Sequence, residues 1–255
     1  MISKNRIKYI QSLKLKKFRT ESGQFVAEGD KIIRSFLQSG TIKITDIYAI
    51  DMWLSKNKNL LDHIPVVEEI SANELDRICG QKTPNKVVAL ADIPQYSLDT
   101  TKLNTTTIVL DQIQDPGNLG TIIRTAGWFG IENIICSKNS VDAYNPKVVQ
   151  STMGALSVVK IHYAELETLI QEAIKLKIPV YGTFTDGKNI YNEKLISNGW
   201  IVFGNESSGI SESIEKLVTR RIHIPAGLEN KLITDSLNVS SSVAIVCSEF
   251  LRNSL

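Results

Sequence analysis

The chain has 255 residues, enough for one or two domains with a sizeable core. A hydrophobic content of 42% reads as a globular, water-soluble chain, and no apolar run approaches the ~20 residues of a membrane span. The net charge of +2 is too small to indicate a nucleic-acid partner by itself. The scattered His63, His162 and His223 show no metal-ligand spacing, and the odd number of distant cysteines (Cys79, Cys136, Cys247) points to reduced thiols in a cytoplasmic protein.

The amino terminus is basic. Lys4, Arg6, Lys8, Lys14, Lys16, Lys17 and Arg19 all precede the first acid, Glu21. Ile7, Ile10 and Leu13 recur at helical spacing, so residues 1–20 predict an amphipathic basic helix, suited to a phosphate backbone or equally to a solvated face. It lacks the apolar stretch of a signal peptide. A strand at 25–28, a helix at 29–38 closed by Gly40, and strands at 44–50, 65–68 and 86–91 follow. Ser71-Ala-Asn-Glu74 has capping-box spacing before another short helix. These elements make a small α/β domain, 1–91, with no catalytic cluster of its own. Residues 92–106, rich in threonine and poor in apolar residues, predict a linker.

The second domain, 107–255, alternates again. A β-branched strand at 107–110 runs into the turn Asp115-Pro116-Gly117, then into a helix from near Asn118, a suitable N-cap, to Gly130. Arg124 lies nearly two turns along it. Ligand sites in α/β proteins sit at such strand-to-helix turns, although an ordinary βα unit whose Asn caps and whose Arg faces water reads the same way. Strands are expected at 133–136, 157–162, 179–183, 200–203 and 221–224, and helices at 148–153 and 164–177. A long last helix from about Asp235 to Leu251 would bury Val239, Val243, Val246 and Phe250. Strands separated by helices imply a mostly parallel sheet.

Three later segments could carry chemistry. Residues 182–188, Gly-Thr-Phe-Thr-Asp-Gly-Lys, fit a phosphate-loop spacing, but Asn189 stands where a hydroxyl should bind magnesium, and a turn at Asp186-Gly187 is the better reading. Gly204-x-Glu206-x-x-Gly209 follows a fully apolar strand, and its glycines let backbone approach a ligand closely. No GxGxxG occurs, against a dinucleotide fold and the glycine-rich methyltransferase fold. Ile224-Pro225 precedes Ser236-Leu237-Asn238-Val239-Ser240, where Asp235 or Ser236 can cap the last helix and exposed N–H groups can hold a ligand. Taken singly, each is also an ordinary turn or cap.

Taken together, Asn118-x-Gly120-x-x-x-Arg124, Gly204-x-Glu206-x-x-Gly209, and Ile224-Pro225 with residues 236–240 resemble, in order and spacing, the SpoU/TrmH branch of the SPOUT RNA methyltransferases. Asn145-Pro-Lys147 and Ser151-Thr-Met-Gly-Ala155 look like that family's middle segment. Residues 1–90, with Phe25-Val-Ala-Glu-Gly29, look like its small ribosomal-protein-like RNA-binding domain. The chain departs from the pattern at Ser207, where glycine is frequent, at Gln150, where a basic residue is common, and in a longer link between Ala226 and Asp235. These departures concern loop shape and substrate contacts rather than the reaction class.

The resemblance implies an α/β fold whose carboxy-terminal, mostly parallel sheet carries a trefoil knot, preceded by the small α/β RNA-binding domain. It implies S-adenosylmethionine as cofactor, no metal, structured RNA (ribosomal before transfer RNA) as partner, and a homodimer through the carboxy-terminal domain. The implied reaction is methylation of a ribose 2′-hydroxyl. Arg124, Asn118, Glu206, Ser236 and Asn238 would be catalytic, and Gly204, Ile224 and Leu237, with Thr183 beside them, would hold the cofactor. A guanidinium is cationic at any physiological pH, so a phosphate clamp that also polarises the hydroxyl suits Arg124 better than a base. The alternatives are a transfer-RNA ribose methyltransferase, a catalytically silent RNA-binding protein of this fold, and a phosphate-loop hydrolase.

Overall fold

The computed structural model of the chain describes residues 1–80, 85–103, 105–227 and 236–252. Contacts divide it into two units, Met1–Gln95 with Asp142–Val158, and Tyr96–Val141 with Val159–Leu255. Residues 142–158, read from sequence with the carboxy-terminal domain, thus cluster with the amino-terminal segment.

The basic amino terminus forms two helices, α1 (Lys4–Ser12) and α2 (Lys16–Ser22), where one was expected. Ile7, Ile10 and Leu13 all enter the core. The chain then breaks, and the break is held by Arg19, whose Nη1 donates to the carbonyls of Leu13 at 2.7 Å and Lys14 at 2.9 Å. Arg19 is only 2% exposed, and its Nε and Nη2 donate to Asp142 Oδ2 at 2.9 and 2.6 Å. One cation of the basic run, expected to face either a phosphate backbone or solvent, is therefore a buried strut. Arg6 is likewise paired with Asp46 and Tyr48, which leaves the five lysines of this run exposed.

Next come β1 (Gln24–Glu28), α3 (Asp30–Ser39), β2 (Ile44–Ala49), α4 (Asp51–Asn57), β3 (Val66–Glu69), α5 (Ala72–Ile78) and β4 (Val87–Asp92). The sheet order is β1-β4-β2-β3, with β4 antiparallel to both its neighbours and β2 parallel to β3. The capping box at Ser71 and Glu74 is present. Helix α4 was not anticipated. Its apolar run is short, and it is secured by a tertiary bond from the buried Trp53 indole to Asp30 Oδ1 at 2.7 Å.

From residue 107 the chain supplies β5 (Thr107–Leu110), α6 (Pro116–Trp128), β6 (Asn133–Ser137), α7 (Pro146–Thr152), β7 (Lys160–Ala164), α8 (Leu166–Lys175), β8 (Val180–Asn189), β9 (Trp200–Phe203), α9 (Glu212–Glu215), β10 (Arg220–His223) and α10 (Val239–Leu251). Helix α7 belongs to the amino-terminal unit, where it packs on β1 and Tyr144 tilts against Phe25 at 4.9 Å between ring centroids. All the other elements build a six-stranded, wholly parallel sheet of order β10-β8-β9-β5-β6-β7. Its central strands are buried on both faces, as parallel strands covered by helices must be, and therefore read as unbroken apolar runs. Trp200 fills the core and donates its indole N–H to the Leu103 carbonyl.

Three boundaries differ most from expectation. Strand β7 starts at Lys160, because Ala155–Ser157 close a 3-10 turn. Strand β8 runs to Asn189, through the suspected phosphate loop. The last helix begins at Val239 and is capped by Asn238, not by Ser236; Asp235, the other cap considered, lies outside the described residues. The core positions of α10 are as expected. The threading of a trefoil knot would involve the link from 226 to 235, of which 228–235 lie outside the described residues. Among the described residues no helix is long and apolar enough to cross a membrane, and no cluster of His, Cys, Asp or Glu could hold a metal.

Candidate active site

Parallel strands send their carboxyl ends to one edge of a sheet. In this one the chain leaves β5 toward β6 and β7, whereas β9 lies on the other side of β5, next to β8. The order therefore reverses between β5 and β9, and a reversal point opens a crevice at the strand ends. The segments after β5 and β9 face each other across it.

The segment after β5 begins α6. Asp115 is the N-cap, accepting from the Asn118 N–H at 2.8 Å, and Pro116 takes the first helical position, where a missing N–H costs nothing. The sequence expectation gave the cap to Asn118. With the cap filled by Asp115, the Asn118 amide is released to bond elsewhere. Its Nδ2 donates to Glu206 Oε1 at 2.9 Å, and its Oδ1 accepts from Asn238 Nδ2 at 3.0 Å. Glu206 also accepts from the Gln114 and Asp115 N–H groups at 3.5 and 3.3 Å. Asn238 Oδ1 accepts from the N–H groups of Ser240 and Ser241 at the start of α10. One hydrogen-bonded chain thus joins three segments separated by 88 and 120 residues.

Two residues not singled out from sequence hold this arrangement. Asp111, only 3% exposed, directly follows β5 and accepts from the Ser211 N–H at 2.8 Å. Asn205 accepts from the N–H groups of Ser207 and Ser208 and donates to the Gln112 carbonyl at 2.8 Å. Gln112 itself sits at φ 57°, a left-handed conformation that a non-glycine residue rarely adopts. The available signal was position: each is a short polar residue just past an apolar strand, where side chains replace ladder bonds.

Gly204 is required for a nearer reason than ligand approach. The loop turns back through paired bonds between Asn205 and Gly209, and a Cβ at 204 would lie 2.0 Å from the Gly209 carbonyl carbon. Thr183 donates its hydroxyl to the Val202 carbonyl at 3.1 Å. Ile224, half-buried, follows β10. Gly204 and Ile224 therefore leave the ends of β9 and β10, and Thr183 lies within β8, the strand between them, just past the stretch paired with β9. Leu237 is 53% exposed, an apolar side chain left to solvent beside the Asn238 cap. Ser236 and Arg124 are exposed, and neither side chain makes a hydrogen bond or ion pair among the described residues. The structure thus joins Asn118, Glu206 and Asn238 but leaves Arg124 and Ser236 outside their network.

The phosphate-loop reading does not survive. Residues 183–187 bulge out between two stretches of β8 paired with β10. Arg221 staples the bulge, with its guanidinium carbon 3.6 Å from the Phe184 ring centroid and ion pairs to Asp186 and Glu215. Its hydrogen bond holds the Asp186 carboxyl below the usual range. A Cβ at Gly187 would meet the Ile222 backbone at 2.5 Å, so this glycine makes room for β10.

Known proteins match this arrangement. Residues 105–248 match the model of the SpoU rRNA Methylase family, and residues 4–89 match an MRM3-like substrate binding domain. A 23S rRNA (guanosine(2553)-2′-O)-methyltransferase of Bacillus subtilis is 26% identical over 94% of both chains. A protein of Porphyromonas gingivalis described as an RNA methyltransferase of the TrmH family superposes with a TM-score of 0.87 at 33% identity, over 99% of each chain. An AdoMet-bound rRNA methyltransferase of Sinorhizobium meliloti does so with a TM-score of 0.82 at 26% identity, over 100% of this chain and 97% of that one.

Proposed function

This chain belongs to the SpoU rRNA methylase family, and we propose on that footing that it methylates a ribose 2′-hydroxyl of ribosomal RNA with S-adenosylmethionine. The observation that carries the reading is the bonded chain Glu206–Asn118–Asn238 at the reversal point of the sheet. Each motif alone is an ordinary turn, and their convergence on one crevice is what a single reaction centre needs.

The residues present suit the cofactor. Gly204 and Ile224 follow the ends of β9 and β10, Thr183 lies in β8 between those strands, Leu237 offers an exposed apolar surface for an adenine ring, and the buried His223 Nδ1 has no hydrogen-bond partner among the described residues. When bound there, S-adenosylmethionine would supply an electrophilic methyl group. The chain's part is alignment and charge. Arg124 grips the phosphate beside the target ribose through its planar fork and polarises the hydroxyl. Asn118 and Ser236 position the ribose and Arg124, Glu206 keeps the two loops in register, and Asn238 fixes the start of α10. Alignment of this kind is worth several kcal/mol of barrier.

The exposed lysines of the amino-terminal unit supply the phosphate-binding charge for structured RNA. We further infer a cytoplasmic homodimer with a knotted carboxy-terminal domain. Trp128, 84% exposed at the end of α6, supports the dimer as an apolar surface for a second copy to cover.

The test is to map 2′-O-methyl groups in ribosomal RNA from cells with and without the gene, and to assay Arg124→Lys on the RNA so identified. One methyl group should vanish with the gene, and Arg124→Lys should lose turnover at least tenfold with cofactor affinity unchanged. An unaltered map would overturn the reaction, and full turnover by the variant would overturn the clamp.

A further inference from the structure

The sheet of the amino-terminal unit has a crevice of its own. Strand β4 lies between β1 and β2 and runs antiparallel to both, so it starts where they end. At that edge the Gly29 and Ile50 N–H groups donate to the Val87 and Lys86 carbonyls at 3.1 and 3.2 Å. Helix α3 leaves from the end of β1 and α4 from the end of β2, with the start of β4 between them. A recess of about 270 Å³ opens there, lined by Asp30 and Arg34 of α3, by Met52, Trp53 and Lys56 of α4, and by Lys86. Asp30 and Arg34 are four apart on one helix, as are Met52 and Lys56 on the other, so each pair shares a helix face. All of these residues belong to the amino-terminal unit, and the proposed reaction uses none of them.

The charges decide what fits. Arg34, Lys56 and Lys86 are exposed, and none of the three side chains makes a hydrogen bond or ion pair among the described residues. The one carboxylate of the lining, Asp30, accepts from the Trp53 indole at 2.7 Å. Three cations against one carboxylate leave the recess positive, and a concave, low-dielectric wall focuses such a field more than a convex helix surface does. The lysines of α1 and α2 lie on convex helices, and Lys17 there already faces Glu21 at 3.9 Å. The volume is below the roughly 300–1,000 Å³ of pockets that enclose a small organic molecule, so the recess suits a phosphate and its sugar rather than a buried base. Arg34 offers a planar fork for two phosphate oxygens, the lysines act as point charges, and Met52, 55% exposed, gives an apolar surface for the sugar.

We propose that this recess grips the phosphate backbone of the substrate RNA, without base selectivity, through Arg34, Lys56 and Lys86. The proposal rests on the RNA-methyltransferase reading above and places its backbone grip in one recess instead of along the basic amino terminus. The test is fluorescence anisotropy of the full chain with two labelled RNA hairpins of unrelated sequence, between about 50 and 200 mM salt. The variant Arg34→Gln/Lys56→Gln/Lys86→Gln is compared with a charge-matched control, Lys4→Gln/Lys8→Gln/Lys16→Gln. The recess variant should lose at least about tenfold in affinity for both hairpins, and its slope of log affinity on log salt should fall by about 2–3, close to one for each phosphate contact removed. The control should lose less than half as much. Equal losses in the two variants, or a loss confined to one hairpin, would overturn the proposal. Acetylation of the wild type supplies a measurement that needs no variant: RNA should protect Lys56 and Lys86 more than Lys4 and Lys8, and the reverse order would also overturn it. Methylation of ribosomal RNA separates the two claims. Methyl transfer by the recess variant with a wild-type KM for RNA rejects the recess alone. Binding that depends on the recess, in a wild type that transfers no methyl group, rejects the reaction alone.

Discussion

Replacing Glu206 by glutamine preserves its shape and removes its charge and one of its two acceptor oxygens. Three donors converge on that carboxylate, from Asn118 Nδ2 at 2.9 Å and from the N–H groups of Asp115 and Gln114 at 3.3 and 3.5 Å. The glutamine oxygen can serve one side, while its NH₂ would face donors on the other. Bonds to a charged group are worth about 1.5–3 kcal/mol each, and Glu206 is exposed, so water offsets part of the loss and the low end applies. A loss of about 1.5 kcal/mol in holding the two loops together lowers kcat/KM roughly tenfold, since about 1.4 kcal/mol is a factor of ten. The assay is transfer of labelled methyl from S-adenosylmethionine to ribosomal RNA, with cofactor affinity measured by calorimetry. Asn118→Ala should be partly redundant with Glu206→Gln, and the double-mutant cycle should give a coupling of about 1 kcal/mol. A Glu206→Gln enzyme with wild-type kcat/KM, together with additive effects in the cycle, would refute the idea that this bonded chain assembles the site.

Arg19→Met should destabilise the protein by about 3–5 kcal/mol, because it strands the Asp142 carboxylate and two carbonyls in a buried setting; an unchanged urea midpoint would contradict the buried-strut role. Burial, and after it the charge of Lys160, holds the His162 imidazole below its ordinary value. The unfolded chain then takes up that proton first, so stability is full above a pH of about 6.5 and declines as the pH falls toward the folded pKa. His162→Gln should therefore flatten the fall in melting temperature between about pH 7 and 5, and equal slopes in both proteins would count against it. Trp128→Glu should convert a dimer into a monomer in sedimentation, because Trp128 is 84% exposed and serves no core; a monomeric wild type would dispose of the interface.

Much of the fold can be read from local pattern. Strands β5 and β9 are unbroken apolar runs because both their faces are covered, and the capping box at Ser71 uses residues three apart. The candidate site was legible as three motifs in a fixed order. Their wiring was not. Asp115 and Asn118 can both cap a helix, and only the folded turn gives the cap to Asp115 and hands the Asn118 amide to Glu206 and Asn238. Composition is equally silent about Arg19, which looks like its lysine neighbours until Asp142, 123 residues away, arrives beside it.

From the chain alone came the alternation of strands and helices, the core stripes and the residue types available for chemistry, all of which depend on periodicity over a few residues. Which of those residues meet, which strand ends lie side by side, and whether a glycine yields to a ligand or to a returning loop were decided in three dimensions. Such contacts link positions about a hundred residues apart, where the energy of a hydrogen bond depends on geometry that no local pattern carries.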